Sequence, residues 1–292
     1  MNTSPSCRML NLGCGSRVVD GWVNIDFASL GPNVQSHNLV NGIPFPNSSF
    51  DVVYHSHVLE HLSIDQGKRF IAECYRVLVP GGLIRVVVPD LEQITRTYLQ
   101  ELDRALDHQP LGADNHHWMT LELLDQCSRH QSGGEMLRYL QRDSINNWDF
   151  VKSRVGHEAV LIRQSLEKKK ATPEPTVTPS TLKQRMTSLL KRMLPKQRNQ
   201  RCEHEQIGRF RTSGEVHRWM YDRFSLTQLL KQTGFTNATI TNAFTSAIPD
   251  WESYQYLDIE NGETRKPDSL FMEARKTQSS DATQREPIRT GK

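Results

Sequence analysis

The sequence has no long hydrophobic run and no closely spaced pair of cysteines. No window of the 292 residues approaches the roughly 18 apolar residues of a membrane-spanning helix, and no basic and then apolar leader precedes the first apolar segment. The five cysteines lie far apart without a CxxC pair, which argues against a disulfide framework or a zinc site. We therefore expect a cytoplasmic protein with free thiols.

Two histidine-containing clusters lack the spacing of metal ligands. His116 and His117 are adjacent, and one residue separates Cys202 from His204. Neither arrangement matches the spacing of known zinc motifs. The sequence therefore predicts no metal site, and we expect these side chains to be exposed or to cap helices.

What the sequence does contain is a glycine-rich turn near its start. Residues 9–12 are mostly apolar and lead into Gly13, Cys14 and Gly15, and the next apolar segment ends at Asp26. Closely spaced glycines let backbone amides approach a ligand at the carboxyl edge of a parallel sheet, and an acid that ends the next strand can bind a ribose diol. The pattern predicts a nucleotide-cofactor site.

The spacing of this turn favours S-adenosylmethionine (SAM) over NAD. The dinucleotide fingerprint has a third glycine and an acid about 20 residues further on. Here Val18 and Val19 stand where that glycine would fall, and Asp26 follows Gly15 closely. Little room remains for the helix whose N-terminus binds a pyrophosphate. A cofactor without phosphate therefore fits better.

Four motifs, in order, resemble those of class I SAM-dependent methyltransferases of the bacterial type 11 group. They are residues 10–15, 43–53, 57–61 and 78–83. The resemblance is strong over residues 7 to 99 and returns more weakly from 216 to 276. It implies an α/β, Rossmann-like fold with a seven-stranded, mostly parallel sheet, helices on both faces, an antiparallel last strand and a helical insertion.

By this resemblance, residues around the first motif bind SAM. Asp26 would hold the ribose hydroxyls, while Asn38 and Leu39 would flank the adenine. Family members commonly carry an acid near position 38, and asparagine keeps an acceptor without the charge. The implied cofactor residues are Leu12, Gly13, Cys14, Gly15, Asp26, Asn38, Leu39 and His55.

Two histidines near the end of an apolar segment are candidate catalytic residues. SAM already carries an electrophilic methyl group, so the enzyme mainly aligns the acceptor with it. In this fold His55 and His57 would face the acceptor, and either is suited to act as a general base. The alternative is a structural role, in which His57 or His61 only bonds to the backbone.

The second candidate region is residues 215–224, which is rich in aromatic and ionisable side chains. We expect His217 and Asp222 to contact acceptor hydroxyls as catalytic residues, and the rings to stack on a sugar or nucleobase. In the alternative interpretation, Trp219, Met220 and Phe224 only pack the following helix onto the sheet.

The resemblance implies a core in two segments, and composition predicts an insertion and a tail. Residues 1–104 form the SAM-binding core, 216–276 complete its sheet, and 277–292 form a disordered tail. Residues 105–215 are an insertion whose first half would cover the sheet edge as a lid. Its second half contains a basic, flexible linker at about 164–201 with a short basic helix at 182–194.

Local signals place several helices and strands. Ser63 with Gln66 predicts a capping box that opens a helix, and Ser225 with Gln228 predicts a second box. Asp90 is a candidate N-cap. Strands are expected at 34–38, 51–54, 83–88, 238–244 and 269–274.

Together these features predict a SAM-dependent methyltransferase that acts on a small-molecule or glycan-type acceptor, with O-methylation favoured. Two alternatives stay open. One is a catalytically idle SAM-binding partner protein, suggested by Asn38. The other is an RNA-directed methyltransferase recruited by the basic linker, which would contact nucleic acid or another anionic surface.

Overall fold

The computed structural model describes residues 7–28, 31–171 and 196–278. These residues form two compact units, one comprising the chain up to Thr97 together with the part from His217 onward, and the other comprising Tyr98–Val216. The predicted basic helix at 182–194 and the predicted tail beyond residue 278 lie outside the described residues. Within the described ranges, no helix combines the length and apolar character needed to cross a bilayer.

The first unit is built on a seven-stranded sheet. Its strands are β1 (Met9–Leu12), β2 (Val23–Asp26), β3 (Val34–Ser36), β4 (Phe50–Ser56), β5 (Leu78–Pro89), β6 (Phe235–Thr241) and β9 (Ser269–Lys276). They lie in the order β3-β2-β1-β4-β5-β9-β6. β1 to β5 pair in parallel, whereas β9 is antiparallel to both β5 and β6. This topology confirms the predicted Rossmann-like α/β fold with an antiparallel last strand.

A short hairpin and the helices complete the described structure. The hairpin pairs β7 (Ile259–Glu260) with β8 (Glu263–Thr264). The helices are α1 (Ile64–Val77), α2 (Leu91–Leu106), α3 (Gly112–Ser128), α4 (Gly134–Leu140), α5 (Trp148–Val155), α6 (His157–Ala171), α7 (Lys196–Arg211), α8 (Arg223–Thr233) and α9 (Trp251–Tyr254). Single 3-10 turns occur at Leu39–Asn41, Leu59–His61 and Gln255–Leu257.

Helices occupy both ends of the segment at about 164–201 that is predicted to be a basic, flexible linker. Helix α6 continues to Ala171, and helix α7 begins at Lys196. The segment that ends α6 is rich in Glu, Lys, Leu and Ala, which are strong helix formers. The basic residues at the end of α6 were therefore not a sign of irregular structure.

Capping residues fix where two of the helices in the first unit begin. Ser63 and Gln66 form the predicted reciprocal capping box at the start of α1. The second predicted box, Ser225 with Gln228, is wrong, because Asp222 and Ser225 form the box that opens α8. That helix therefore starts three residues earlier than the Ser225 signal suggested.

Buried side chains line both faces of the sheet. On one face, Leu10, Val53 and Ile84 belong to a core that includes residues of α1 and α8. On the other face, Tyr54 and Val87 belong to a core formed with residues 243–259, which include α9. Each fully buried aliphatic side chain contributes about 1.5–3 kcal/mol relative to exposure. Coverage on both faces explains why the central strands are nearly continuous apolar runs.

Arg85 is the one charged side chain in the apolar part of β5, and it is fully buried. Its guanidinium donates to Asp258 Oδ2 from Nε at 3.0 Å and from Nη2 at 2.9 Å, and to Glu273 Oε1 from Nη1 at 2.7 Å. It also lies 4.5 Å from the centroid of the Trp251 ring. Two carboxylates and an aromatic face thus compensate the buried charge, and they connect residues 251–258 to the sheet.

Candidate functional site

The glycine-rich turn after β1 is held by hydrogen bonds within the chain. The N–H groups of Gly13 and Cys14 donate to the carbonyl of Ile25 at 2.8 and 3.1 Å, and the N–H of Gly15 donates to Asp26 Oδ2 at 2.8 Å. The interpretation that these amides face a ligand is therefore wrong for all three. The turn can still accommodate a ligand, because it leaves open space beside Gly15.

The two glycines of this turn have different roles. Both have positive φ, 65° at Gly13 and 51° at Gly15. A Cβ at Gly13 would overlap the side chain of Val58, whereas no atom of the described residues lies within 4 Å of a Cβ at Gly15. Gly13 is therefore required for close packing on the loop after β4, and Gly15 borders open space.

A cleft of about 180 Å³ opens beside the turn, entirely within the first unit. Its walls come from the turn, the end of β4, the segment before β7 and the connection that follows β8. The residues that line it are Asn11, Gly13, Cys14, Gly15, Ser16, Arg17, Tyr54, Ser56, His57, Leu257, Arg265 and Lys266.

Asp26 faces the turn from the end of β2. One carboxylate oxygen accepts from Gly15, and the other accepts from the N–H of Ala28 at 3.1 Å. The carboxylate therefore lies at the rim of the cleft. Cys14 is nearby, and burial, together with the charge of Asp26, raises the pKa of its thiol to about 11, so this thiol is neutral at pH 7.

The other predicted cofactor residues do not line this cleft. Leu12 has a fully buried side chain in the core beside α1. Asn38 uses its side-chain oxygen to cap a 3-10 turn, accepting from the N–H of Val40 at 3.0 Å. Leu39 is partly buried against the same core. The predicted adenine contacts of Asn38 and Leu39 stay predictions.

The structure adds residues that the sequence did not indicate. Arg17, Arg265 and Lys266 bring positive charge to the cleft, and Arg17 also pairs with Glu260 at 3.1 Å. Phe27 directly follows Asp26 and is 71% exposed. The aromatic residue directly after the acid was an unused sequence signal for Phe27, whereas no motif marks the two basic residues after β8.

The prediction that His55 faces the acceptor or the cofactor is wrong. The side chain is fully buried, and its ring packs edge-on against Phe70 of α1 with centroids 5.0 Å apart. Burial lowers its pKa to about 3, and neither ring nitrogen has a hydrogen-bond partner in the described parts of the chain. Side chains alternate along a strand, and His55 lies on the core side.

His57, by contrast, lines the cleft. Its backbone has a left-handed φ of 55°, which is uncommon for a residue other than glycine. Its Nε2 lies 3.0 Å from Ser269 Oγ, and its Nδ1 lies 3.0 Å from Glu60 Oε1. Burial, and then the charges of Lys266 and Arg265, hold the pKa of His57 well below its usual range. The imidazole is therefore neutral at pH 7.

His217 lies beside the 3-10 turn that follows β4. It is buried, and its ring meets the ring of His61 edge-on with centroids 4.9 Å apart. The N–H groups of Arg218 and Trp219 both donate to the carbonyl of Glu60, at 2.7 and 3.2 Å. Two segments far apart in the chain thus meet near the end of β4.

The remaining residues of the second candidate region divide into two groups. Asp222 accepts from the N–H of Ser225 at 2.7 Å as the cap of α8, so its prediction as a catalytic residue is corrected to a capping role. Trp219 and Phe224 are 43% and 71% exposed. The packing alternative for Trp219, Met220 and Phe224 is therefore wrong for Phe224, whereas Trp219 and Met220 are partly buried.

Part of the chain is similar to known methyltransferases. Residues 23–86 match the family model described as a methyltransferase domain. Over 54 residues the chain is 44% identical to a probable S-adenosylmethionine-dependent methyltransferase of Mycolicibacterium smegmatis, covering 18% of this chain and 20% of that protein. The chain thus aligns with about a fifth of the length of this curated relative.

Solved structures of SAM-dependent methyltransferases are also similar. One from Methanosarcina mazei has 14% identity and a TM-score of 0.40, with 95% of each chain covered. One from Archaeoglobus fulgidus has 12% identity and a TM-score of 0.37, with 93% of this chain and 87% of that chain covered.

The Rossmann-like sheet and the glycine turn occur together with this similarity. Over residues 23–86 the chain is similar to a methyltransferase domain, and the matched relative is named as a probable SAM-dependent enzyme. SAM is the cofactor that this similarity implies.

Proposed function

We propose that the protein is a SAM-dependent methyltransferase and that the cleft beside the glycine turn is its cofactor site. The observation that carries the proposal is the position of Asp26. Its carboxylate lies at the rim, hydrogen-bonded to Gly15 at 2.8 Å, where Gly15 borders open space. An acid so placed suits the two hydroxyls of a ribose.

The residues around the cleft fit the other parts of SAM. Arg17 and Lys266 provide positive charge for the carboxylate of its amino-acid half. The exposed ring of Phe27 offers a stacking surface for adenine. Because the cleft of about 180 Å³ is smaller than typical ligand pockets of roughly 300–1,000 Å³, we propose that it encloses only part of the cofactor.

For the acceptor we propose an oxygen of a small molecule or glycan. SAM supplies an electrophilic methyl group when bound. The hydroxyl proton passes to neutral His57, whose Nε2 must first exchange Ser269 Oγ, at 3.0 Å, for the acceptor.

Two further features support this acceptor class and a cytoplasmic location. The exposed rings of Trp219 and Phe224 lie close together in the sequence and are suited to stacking on a sugar. Within the described residues, Cys7, Cys14, Cys74 and Cys127 are free thiols, as is usual in a reducing compartment. The contact of the basic linker with an anionic partner stays a prediction, because most of that segment lies outside the described residues.

The test is a labelled-methyl transfer assay against separate pools of sugar nucleotides, lipid-linked glycans and RNA. We expect label in a sugar-containing pool and a large loss of transfer in His57→Gln. His130→Gln, a change at an exposed histidine in the second unit, is the matched control. Label in RNA would support the nucleic-acid alternative, and SAM binding without transfer to any pool would support the idle-partner alternative.

A further inference from the structure

Three ionisable side chains meet next to the end of β4. Glu60 and His61 come from the 3-10 turn Leu59–His61, and His217 comes from the segment before α8. Each offers one donor atom, and these three atoms all lie within 4.8 Å of one another. We call these three residues the Glu60 cluster.

The carboxylate of Glu60 is the unusual member of this cluster. The residue is fully buried, and within the described ranges its Oε2 has no hydrogen-bond partner. Its Oε1 lies 3.0 Å from His57 Nδ1. A buried carboxylate with an oxygen that lacks a partner is costly, and a bound cation at the cluster would supply the missing partner.

The donor set indicates which cation would bind. Two imidazoles and one carboxylate form the His₂Glu combination that zinc and related divalent transition metals accept, whereas magnesium and calcium prefer oxygen donors alone. We propose that the Glu60 cluster binds one divalent transition-metal ion of the Zn²⁺ type. This proposal is independent of the methyl-transfer proposal.

The geometry requires only small adjustments. In a tetrahedral zinc site with bonds of about 2.0–2.2 Å, donor atoms are roughly 3.4 Å apart, compared with the limit of 4.8 Å in the cluster. The separations between the donor atoms must therefore shorten by at most about 1.4 Å. Three protein ligands leave a fourth position for water or a substrate oxygen, and His61, which is only partly buried, opens the site toward solvent.

Such a metal would connect two parts of the first unit. The backbone already joins them, because Arg218 and Trp219 donate to the carbonyl of Glu60, and the rings of His61 and His217 are in contact. The metal would add side-chain bonds between the same segments. Residues 217–219 would then be more firmly fixed beside the cleft wall at His57.

The test uses the full-length chain without a histidine tag, stripped of metal with a chelator. Zn²⁺ is then titrated and the bound metal is counted by mass spectrometry after dialysis. Co²⁺ is added separately, because its visible spectrum reports nitrogen and oxygen ligation. The variants are Glu60→Gln, which keeps the shape of the side chain, and His217→Gln, with His130→Gln as the control outside the cluster.

We expect one equivalent of Zn²⁺ in the wild-type protein and in His130→Gln, and affinity lower by on the order of 100-fold in both cluster variants. The Co²⁺ spectrum should disappear in parallel. Circular dichroism identifies any variant that is unfolded, and the wild-type Co²⁺ spectrum still tests the proposal in that case. Absence of stoichiometric Zn²⁺ and Co²⁺ binding, binding of Mg²⁺ alone, or equal affinity in folded Glu60→Gln would overturn the proposal.

Discussion

The Asp26 carboxylate accepts a hydrogen bond from the N–H of Gly15 at 2.8 Å. The acid assigned to the ribose of the cofactor therefore also holds the glycine turn in place before any ligand binds. Its second oxygen is engaged by the N–H of Ala28. A substitution at Asp26 that removes the acceptor would change both the turn and the cofactor contact, so an informative variant must keep an acceptor.

Gly13 and Val58 should be energetically coupled. Gly13→Ala places a Cβ against the Val58 side chain at a positive φ of 65°, and we expect a loss of about 2–5 kcal/mol in the free energy of unfolding. Adding Val58→Ala removes the overlap, so the double variant should lose less than the two single losses added together. Gly15→Ala, which meets no atom, should lose about 1–2 kcal/mol from backbone strain. Strict additivity in urea denaturation would contradict the packing role of Gly13.

Asp222→Ala tests the capping role. Loss of the N-cap of α8 should lower the free energy of unfolding by about 1 kcal/mol, while transfer activity per folded molecule stays close to that of the wild type. Asp20→Ala, at an exposed position, is the control for loss of one carboxylate. A stable Asp222→Ala protein without activity would restore a catalytic role for this acid.

Arg85 should dominate the stability of the second core. Arg85→Met leaves the carboxylates of Asp258 and Glu273 buried without their cation, and we expect a loss of about 3–5 kcal/mol. Arg96→Met breaks an exposed pair with Glu92 and should cost at most about 1 kcal/mol. Similar losses of unfolding free energy for the two variants in chemical denaturation would contradict the expectation that the buried Arg85 ion pairs stabilise the protein more than an exposed pair does.

Glu73 should make the free energy of unfolding depend on pH. A hydrogen bond from Arg76 holds the pKa of Glu73 below its usual range, so the folded protein retains the carboxylate at a pH where the unfolded chain takes up a proton. Its contribution is present above about pH 4.3 and is lost as the pH falls further. The difference in unfolding free energy between the wild type and Glu73→Gln should therefore shrink from about pH 6 to about pH 3. A constant difference would exclude this linkage.

Regular local patterns predicted most of the first unit. The capping box at Ser63, the N-cap at Asp90 and the apolar runs of β4 and β5 depend on neighbouring residues, and the structure confirms them. The start of α8 was misplaced because two capping pairs overlap, one at Asp222 and one at Ser225. Strand β6 begins at Phe235, three positions before the predicted residue 238, directly after the helix stop at Gly234.

The site was harder to predict because it depends on contacts that are distant in sequence. The acid and the glycine turn follow a known spacing, whereas Arg265 and Lys266 reach the cleft only through the fold. Which face of the sheet the His55 side chain occupies depended on which residues of β4 point to each face, and the sequence did not fix that alternation. Glu60 and His217 lie on opposite sides of the second unit in the sequence, so no local pattern could indicate their cluster.

The most direct test of the central claim is calorimetric titration of SAM into the wild type, Asp26→Asn and Asp20→Asn. Asparagine keeps an acceptor for the Gly15 N–H but loses the charge. We predict that the wild type binds SAM, that Asp26→Asn binds about 5- to 150-fold more weakly, equivalent to about 1–3 kcal/mol, and that Asp20→Asn matches the wild type. Equal affinity in all three proteins, or no binding to the wild type, would contradict the assignment of this cleft to SAM.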